Sequence, residues 1–347
     1  MSDSILNISD QKSYWSASTP IIRFAIGASF IMAVTSLWNY DLSYLTAVLG
    51  IGYISPGAKP LTFKQATGFI VSLIVITGLT VGFSELFLEY SLVFFPLLIL
   101  ALLWLYFIDQ LPAIIKVFLL ISLVVIPFVS IDSGAIGSYI AINLVFNAFM
   151  AIVLTQLVFI FFPLSDADIA FEKVQNKAVK QTKEERFSYA SKIVIVLIPV
   201  FLLFYIFKLS SSVLILIFVA ILSMSPALAN PKVGLVLIVA NIMGGVFAIL
   251  AYYLLTIVPN FAFMILLVFL AGLIFGQRIF SKDKLAPIFK SGFSTFLLIL
   301  GSVLSSDAAA GEKVWPRVMQ ISLAVIYVVF AFRILSFFKP QKTAKTG

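Results

Sequence analysis

Long apolar runs alternate along this chain with short polar breaks. Apolar segments lie at about 21–38, 43–56, 65–84, 91–108, 112–131 and 138–163, and a second series at about 192–207, 211–226, 233–256, 260–277, 285–304 and 315–338. One polar stretch, Ser165 to Ser191, separates the two series. Most runs approach the ~20 residues a helix needs to cross a bilayer core of ~30 Å. A backbone in lipid must satisfy its own hydrogen bonds, and helices do so within one segment. The pattern therefore predicts an all-α polytopic membrane protein with about twelve transmembrane helices. Segments 43–56 and 211–226 are short for this, and the sequence leaves open whether they cross or re-enter. The polar tail at 1–20 has no apolar stretch or small-residue cleavage site of a signal peptide and is expected to be retained.

Composition agrees with the pattern. Of 347 residues, 62% are hydrophobic and 11% charged, where soluble domains carry about 25% charged residues. Soluble, disordered and disulfide-stapled classes are thereby excluded. The chain has no cysteine and no histidine. Thiolate metal sites, thiol nucleophiles and imidazole bases are all ruled out by that, so an enzyme is not expected. No cofactor and no metal is indicated, and the polar stretch has no Gly-rich phosphate loop.

A net charge of +8 invites a nucleic-acid reading until its distribution is considered. With twelve alternating spans and the N-terminus in the cytoplasm, 20 of the 23 Lys and Arg fall on the cytoplasmic side. Only Lys208, Lys313 and Arg317 fall outside. That is the positive-inside bias, so both termini are expected in the cytoplasm and no nucleic-acid partner is needed. The four tryptophans lie near the expected interfaces, as an aromatic belt requires.

The two series match each other. Ser55-Pro56 recurs as Ser225-Pro226 at an offset of 170, each copy followed by a further Pro and a Lys. Segment 111–132 matches 285–307, placing Lys116 on Lys290 at 174 and Asp132 on Asp307 at 175. Arg23 and Lys192 open their halves at 169. The ordered series predicts two six-helix repeats, 21–164 and 192–338, joined by a cytoplasmic linker at 165–191 and followed by a cytoplasmic tail at 339–347. Six spans is an even number, so the repeats share orientation and relate by an axis along the membrane normal. A pathway between them is the default site.

A basic residue opening the first helix, a short second span ending in Ser-Pro, and a Lys before a glycine-punctuated third helix together form a pattern. In this chain the third-helix residues are Lys64, Gly68, Gly78 and Gly82, then Lys232, Gly234, Gly244 and Gly245. The pattern resembles the fusaric acid resistance and aromatic acid exporter family of bacterial inner-membrane proteins, and more distantly the plant aluminium-activated malate transporters. The resemblance covers nearly all of 20–338. It implies export of aromatic carboxylates or similar amphipathic compounds, working with a periplasmic adaptor of the membrane-fusion type. Many members carry a sizeable cytoplasmic domain between the halves, and here only about 27 residues stand there.

Candidate transport residues follow from the repeat. Proline breaks a helix, and broken backbone at membrane depth must be buried or line a cavity. Ser55, Pro56, Ser225 and Pro226, with Lys59 and Asn230 after them, can supply donors to an anion; they can equally just end short spans at a loop. Lys116 and Lys290 each stand one turn inside an apolar helix. There they can snorkel to the interface, or face a central path as a twofold pair of cations that attracts carboxylates. The malate-transporter likeness implies the second, since basic residues on the fifth helix are thought to line the pore there. Asp132 and Asp307 are the candidates for proton coupling, against a plainer role as helix caps. Asn241 is expected to face another helix, and the glycines of the third and ninth segments predict close backbone packing.

The expected function is thus an inner-membrane transporter exporting small organic anions, with proton drive as one mode. A passive organic-anion channel, a lipid or glycan precursor flippase and a scaffold subunit are the rivals. Substrate identity, coupling ion and homo-oligomeric state are not legible.

Overall fold

The computed structural model describes residues 8–38, 40, 42–108, 113–165, 168, 182–209, 231–281 and 286–304, with scattered positions between 212 and 223 and between 319 and 335. Every regular element described is helical. In chain order the helices are α1 (Ile8–Trp38), α2 (Ser43–Tyr53), α3 (Phe63–Phe87), α4 (Ser91–Phe107), α5 (Ala113–Ser130), α6 (Gly134–Phe161), α7 (Lys183–Ile206), α8 (Pro231–Ile257), α9 (Phe261–Ile279) and α10 (Ala286–Leu304).

Among the described residues, six stretches are long and apolar enough to cross a membrane: Ser18–Trp38, Phe63–Phe87, Gly134–Phe161, Lys183–Ile206, Val239–Ile257 and Phe261–Ile279. A membrane-spanning helical protein is what this supports. Shorter apolar helices stand beside them. At about 1.5 Å per residue, the 11 residues of α2 reach roughly half of a ~30 Å core. The segment at 43–56 is therefore a half-length helix closed by a turn. Its counterpart at 211–226 lies largely outside the described residues.

Local chemistry sets several starts. Thr62 and Gln65 cap α3 reciprocally: the Gln65 amide donates to Thr62 Oγ1 at 3.3 Å and the Thr62 amide to Gln65 Oε1 at 3.0 Å. Thr182 and Glu185 form the same capping box at α7. Asn260 accepts from the amides of Ala262 and Phe263 to start α9. Because of the Thr182 box, α7 begins at Lys183, inside the charged stretch read as linker. Likewise α1 begins at Ile8, well before the apolar run.

The helices form two compact units. The first takes Met1–Ile74, Ile142–Lys180 and Ala240–Val318. In it α1 packs on α2, α9 and α10, while α10 also meets α2 and α9. The second takes Val75–Ala141, Gln181–Val239 and Met319–Gly347, with α4 packed on α5 and α7. Each unit draws helices from both halves of the sequence.

In the first unit the crossings are made by small residues. A Cβ on Gly244 of α8 would lie 2.0 Å from the Gly292 carbonyl of α10, and one on Gly292 would lie 2.4 Å from the Ala240 carbonyl. Gly272 of α9 meets the Ala25 backbone of α1 in the same way. Phe24, Phe275 and Phe293 fill the space around these crossings, each fully buried. The core of the second unit is aromatic. The buried Phe94 ring stacks on Phe83 at 5.3 Å and on Tyr205 at 6.2 Å, and Phe128 packs on Phe201 at 5.3 Å.

The expected close packing of glycines holds at α8 and fails at α3. Nothing lies within 4 Å of a Cβ placed on Gly68, Gly78 or Gly82. These three glycines lie along a weakly buried helix, of which only 22% is covered.

Candidate functional site

Ser55 and Pro56 follow α2 in a tight turn. The Ala58 amide donates to the Ser55 carbonyl at 3.0 Å, Pro56 takes the second position, and Gly57 takes the third at φ 77°. A positive φ after proline is the type II pattern, which glycine fills without strain. Ser55 is buried, and its hydroxyl donates to the Ile51 carbonyl one turn back. In this state that proton serves the end of α2. Lys59 lies exposed beyond the turn. Ser225, Pro226 and Asn230 lie outside the described residues.

Lys290 stands on α10 of the first unit, half-buried. Beside it is the polar seam joining α10 to α8. Asn241 is 3% exposed, and its Oδ1 accepts from Ser291 Oγ at 3.2 Å and from Thr295 Oγ1 at 2.5 Å. Asn241 thus faces a neighbouring helix, as expected. The seam sits against the Gly244–Gly292 crossing, so the backbones approach closely where the polar groups must meet. A second seam joins α2 to α6 in the same unit. There Thr46 Oγ1 donates to Asn147 Oδ1 at 2.7 Å, and Tyr40 shares a hydrogen bond with Thr46 at 2.6 Å.

Lys116 stands on α5 of the second unit, also half-buried. Asp132 lies in the turn after α5, exposed, with its amide donating to the Val129 carbonyl at 3.3 Å. The side chain that caps α6 belongs to its neighbour, for Ser133 Oγ accepts from the Ala135 amide. Asp307 lies outside the described residues.

One buried charged pair escaped the sequence reading. Arg23 of α1 is fully buried, and its two terminal nitrogens meet both carboxylate oxygens of Asp168, which is 4% exposed. Arg23 also donates to the Pro163 carbonyl at 3.2 Å, and its guanidinium lies over the Phe159 ring at 5.1 Å. Asp168 accepts from the amide and hydroxyl of Ser165, each at 2.8 Å. Burial alone would raise the Asp168 pKa. The hydrogen bonds from Arg23 and Ser165, with the guanidinium charge, outweigh it and hold the carboxyl below its ordinary value. The sequence signal was an arginine at the third position of an apolar run, which requires a counter-charge; the first acids after the sixth segment were the candidates. Among the described residues Asp168 is the one acidic side chain that is buried.

The arrangement places a half-buried ammonium group near the start of each of two apolar helices, α5 and α10, and on α10 the lysine adjoins in sequence the hydroxyl–amide seam to α8. No family model matches the chain, nor does any curated protein or solved structure.

Proposed function

We propose that the chain is an inner-membrane transporter that exports small organic anions, with aromatic carboxylates as the leading substrate class. The observation that carries this reading is the placement of Lys116 and Lys290. Each is half-buried within the first turns of an apolar helix, where an ammonium group is costly unless it faces a polar path or the interface. The likeness of the sequence to the fusaric acid resistance and aromatic acid exporter family supports the same reading. The apolar runs, the Lys and Arg bias and the internal match bring the twelve-span, two-repeat topology and the cytoplasmic termini into the proposal, and the likeness adds a periplasmic adaptor.

A passive anion channel has one observation in its favour. Asp132 is exposed, and the buried Asp168 is already committed to Arg23, so no buried carboxylate among the described residues is left to carry protons. Proteoliposomes loaded with aromatic acids test both modes. Lys116→Gln/Lys290→Gln should lower flux at least tenfold while the protein still inserts, and unchanged flux refutes the role of the lysines. Flux that rises with an imposed pH gradient means coupled export; flux that follows voltage alone means a channel.

A further inference from the structure

The sequence repeat makes α3 and α5 counterparts of α8 and α10, and the two pairs are built differently. At offset 170 Gly244 corresponds to Ile74, and at 174 Gly292 corresponds to Phe118. The glycine pair that locks α8 to α10 is thus replaced by two bulky residues. In the second unit an apolar groove of about 220 Å³ opens between α3, α4 and α5. Its floor includes Thr80 and Leu119, at 3% and 6% exposure, and its rim carries Leu79 and Trp104, at 69% and 61%. Ile76, Phe83, Ala101, Leu105 and Leu123 complete the lining. The Thr80 hydroxyl is turned back onto the Ile76 carbonyl, so the wall presents almost no polar group.

Volume and charge together restrict what fits. An apolar cavity of about 150 Å³ takes a benzene, so this groove has room for one ring or two fused rings. Phe83 and Trp104 offer faces and edges for such a ring. Lys116, Leu119 and Leu123 are spaced i, i+3 and i+7 on α5, so the lysine shares the helix face that lines the groove, one turn nearer the α4–α5 connection. An anionic head there would complement the ammonium group.

We propose that this groove is a binding site for an aromatic monocarboxylate, with the ring between Phe83 and Trp104 and the carboxylate toward Lys116, and that the first repeat alone carries it. The inference rests on the anion-transport reading, but it moves the site from a central path between the repeats to one side. The probe is 1-naphthoate, and the reporter is Trp104, left as the sole tryptophan by replacing Trp15, Trp38 and Trp315 with Phe, in nanodiscs of phosphatidylcholine. Saturable quenching of Trp104 is expected. It should be at least tenfold weaker with neutral 1-naphthalenemethanol and in Lys116→Gln, unchanged in Lys64→Gln, and abolished by the groove-filling Ala101→Leu. Quenching that never saturates, that is equal for the neutral analogue, or that saturates only with oleate overturns the proposal; the last outcome marks a lipid groove. Flux of 1-naphthoate through the same preparation separates the two readings. Flux without Trp104 binding retains transport and removes the groove, whereas binding without flux retains the groove and removes transport.

Discussion

The two compact units hold their helices by different means. In the first, backbones touch at Gly244, Gly272 and Gly292, polar seams lock α2 to α6 and α8 to α10, and one buried ion pair ties α1 to the segment after α6. In the second, stacked and edge-on aromatic rings fill the space between α3, α4, α5 and α7. There α4, α5 and α7 each contain a proline, at Pro96, Pro127 and Pro199. Association in lipid gains little from hydrophobic transfer, so it depends on van der Waals fit and hydrogen bonds. Glycine crossings give that fit with almost no adjustable parts. An aromatic core gives it through side chains that can turn, and a proline frees a carbonyl in the helix it interrupts. The groove and Lys116 lie in the second kind of unit.

The largest effect should come from breaking a glycine crossing. Gly292→Leu drives a side chain into the Ala240 carbonyl, and backbone cannot yield as a side-chain tip can. Overpacking typically costs about 1–3 kcal/mol and more where nothing can move, so the variant is expected to fail to fold or to unfold far earlier in an SDS titration. Wild-type-like unfolding would show that the crossing is not tight.

Next in size is the ion pair. Removing one partner of a buried pair costs about 3–5 kcal/mol, because the other charge is stranded. Arg23→Gln and Asp168→Asn should each lose that much, while Arg23→Met/Asp168→Leu loses less than either. The pair also sets a pH dependence. Asp168 is held below its ordinary value, so its contribution is complete above the unfolded value of about 3.9 and is lost as pH falls through the folded value. Stability should therefore be flat near neutrality and fall only in strong acid, and Asp168→Asn should abolish that fall. A midpoint near neutral pH would refute the assignment.

The aromatic core should be more forgiving. Phe94→Leu keeps an apolar side chain but loses the stacks on Phe83 and Tyr205. Such pairs contribute about 0.5–1.5 kcal/mol beyond the area they cover, so a loss of about 1–2 kcal/mol is expected in the same titration. A loss as great as that from Gly292→Leu would erase the contrast between the units.

Hydropathy placed the helices well. The runs at 91–108 and 112–131 appear as Ser91–Phe107 and Ala113–Ser130, and 285–304 as Ala286–Leu304. Starts in polar sequence were missed. Ile8 to Ser18 and Lys183 to Ser191 are helical without being apolar, and in the second case a capping box supplies what hydrophobicity does not. Asn241 was readable as a helix contact because an amide in an apolar run needs a partner. The Arg23–Asp168 pair was not read, since 145 residues separate its members and periodicity carries no information across that span. The groove was not legible at all. A cavity is set by which side chains fail to meet, and neither hydropathy nor the repeat records that.

Glycine spacing misled in one helix, and that helix supplies the smallest predicted effect. Gly78 and Gly82 of α3 form the small-xxx-small pattern of a tight crossing, yet a Cβ at either position meets open space. The comparison with Gly292 is then a clean one, with the same residue type in apolar helices but opposite surroundings. Gly78→Ala adds a methyl where nothing opposes it and removes the helix cost of glycine, about 0.5–1 kcal/mol. A small stabilisation of that order is expected in SDS titration at low protein concentration, with the particle size unchanged. If Gly78→Ala instead destabilises and shifts the particle to half its mass, α3 is the seam of a dimer, and its glycines are as tightly packed as Gly292, against a second copy of the chain.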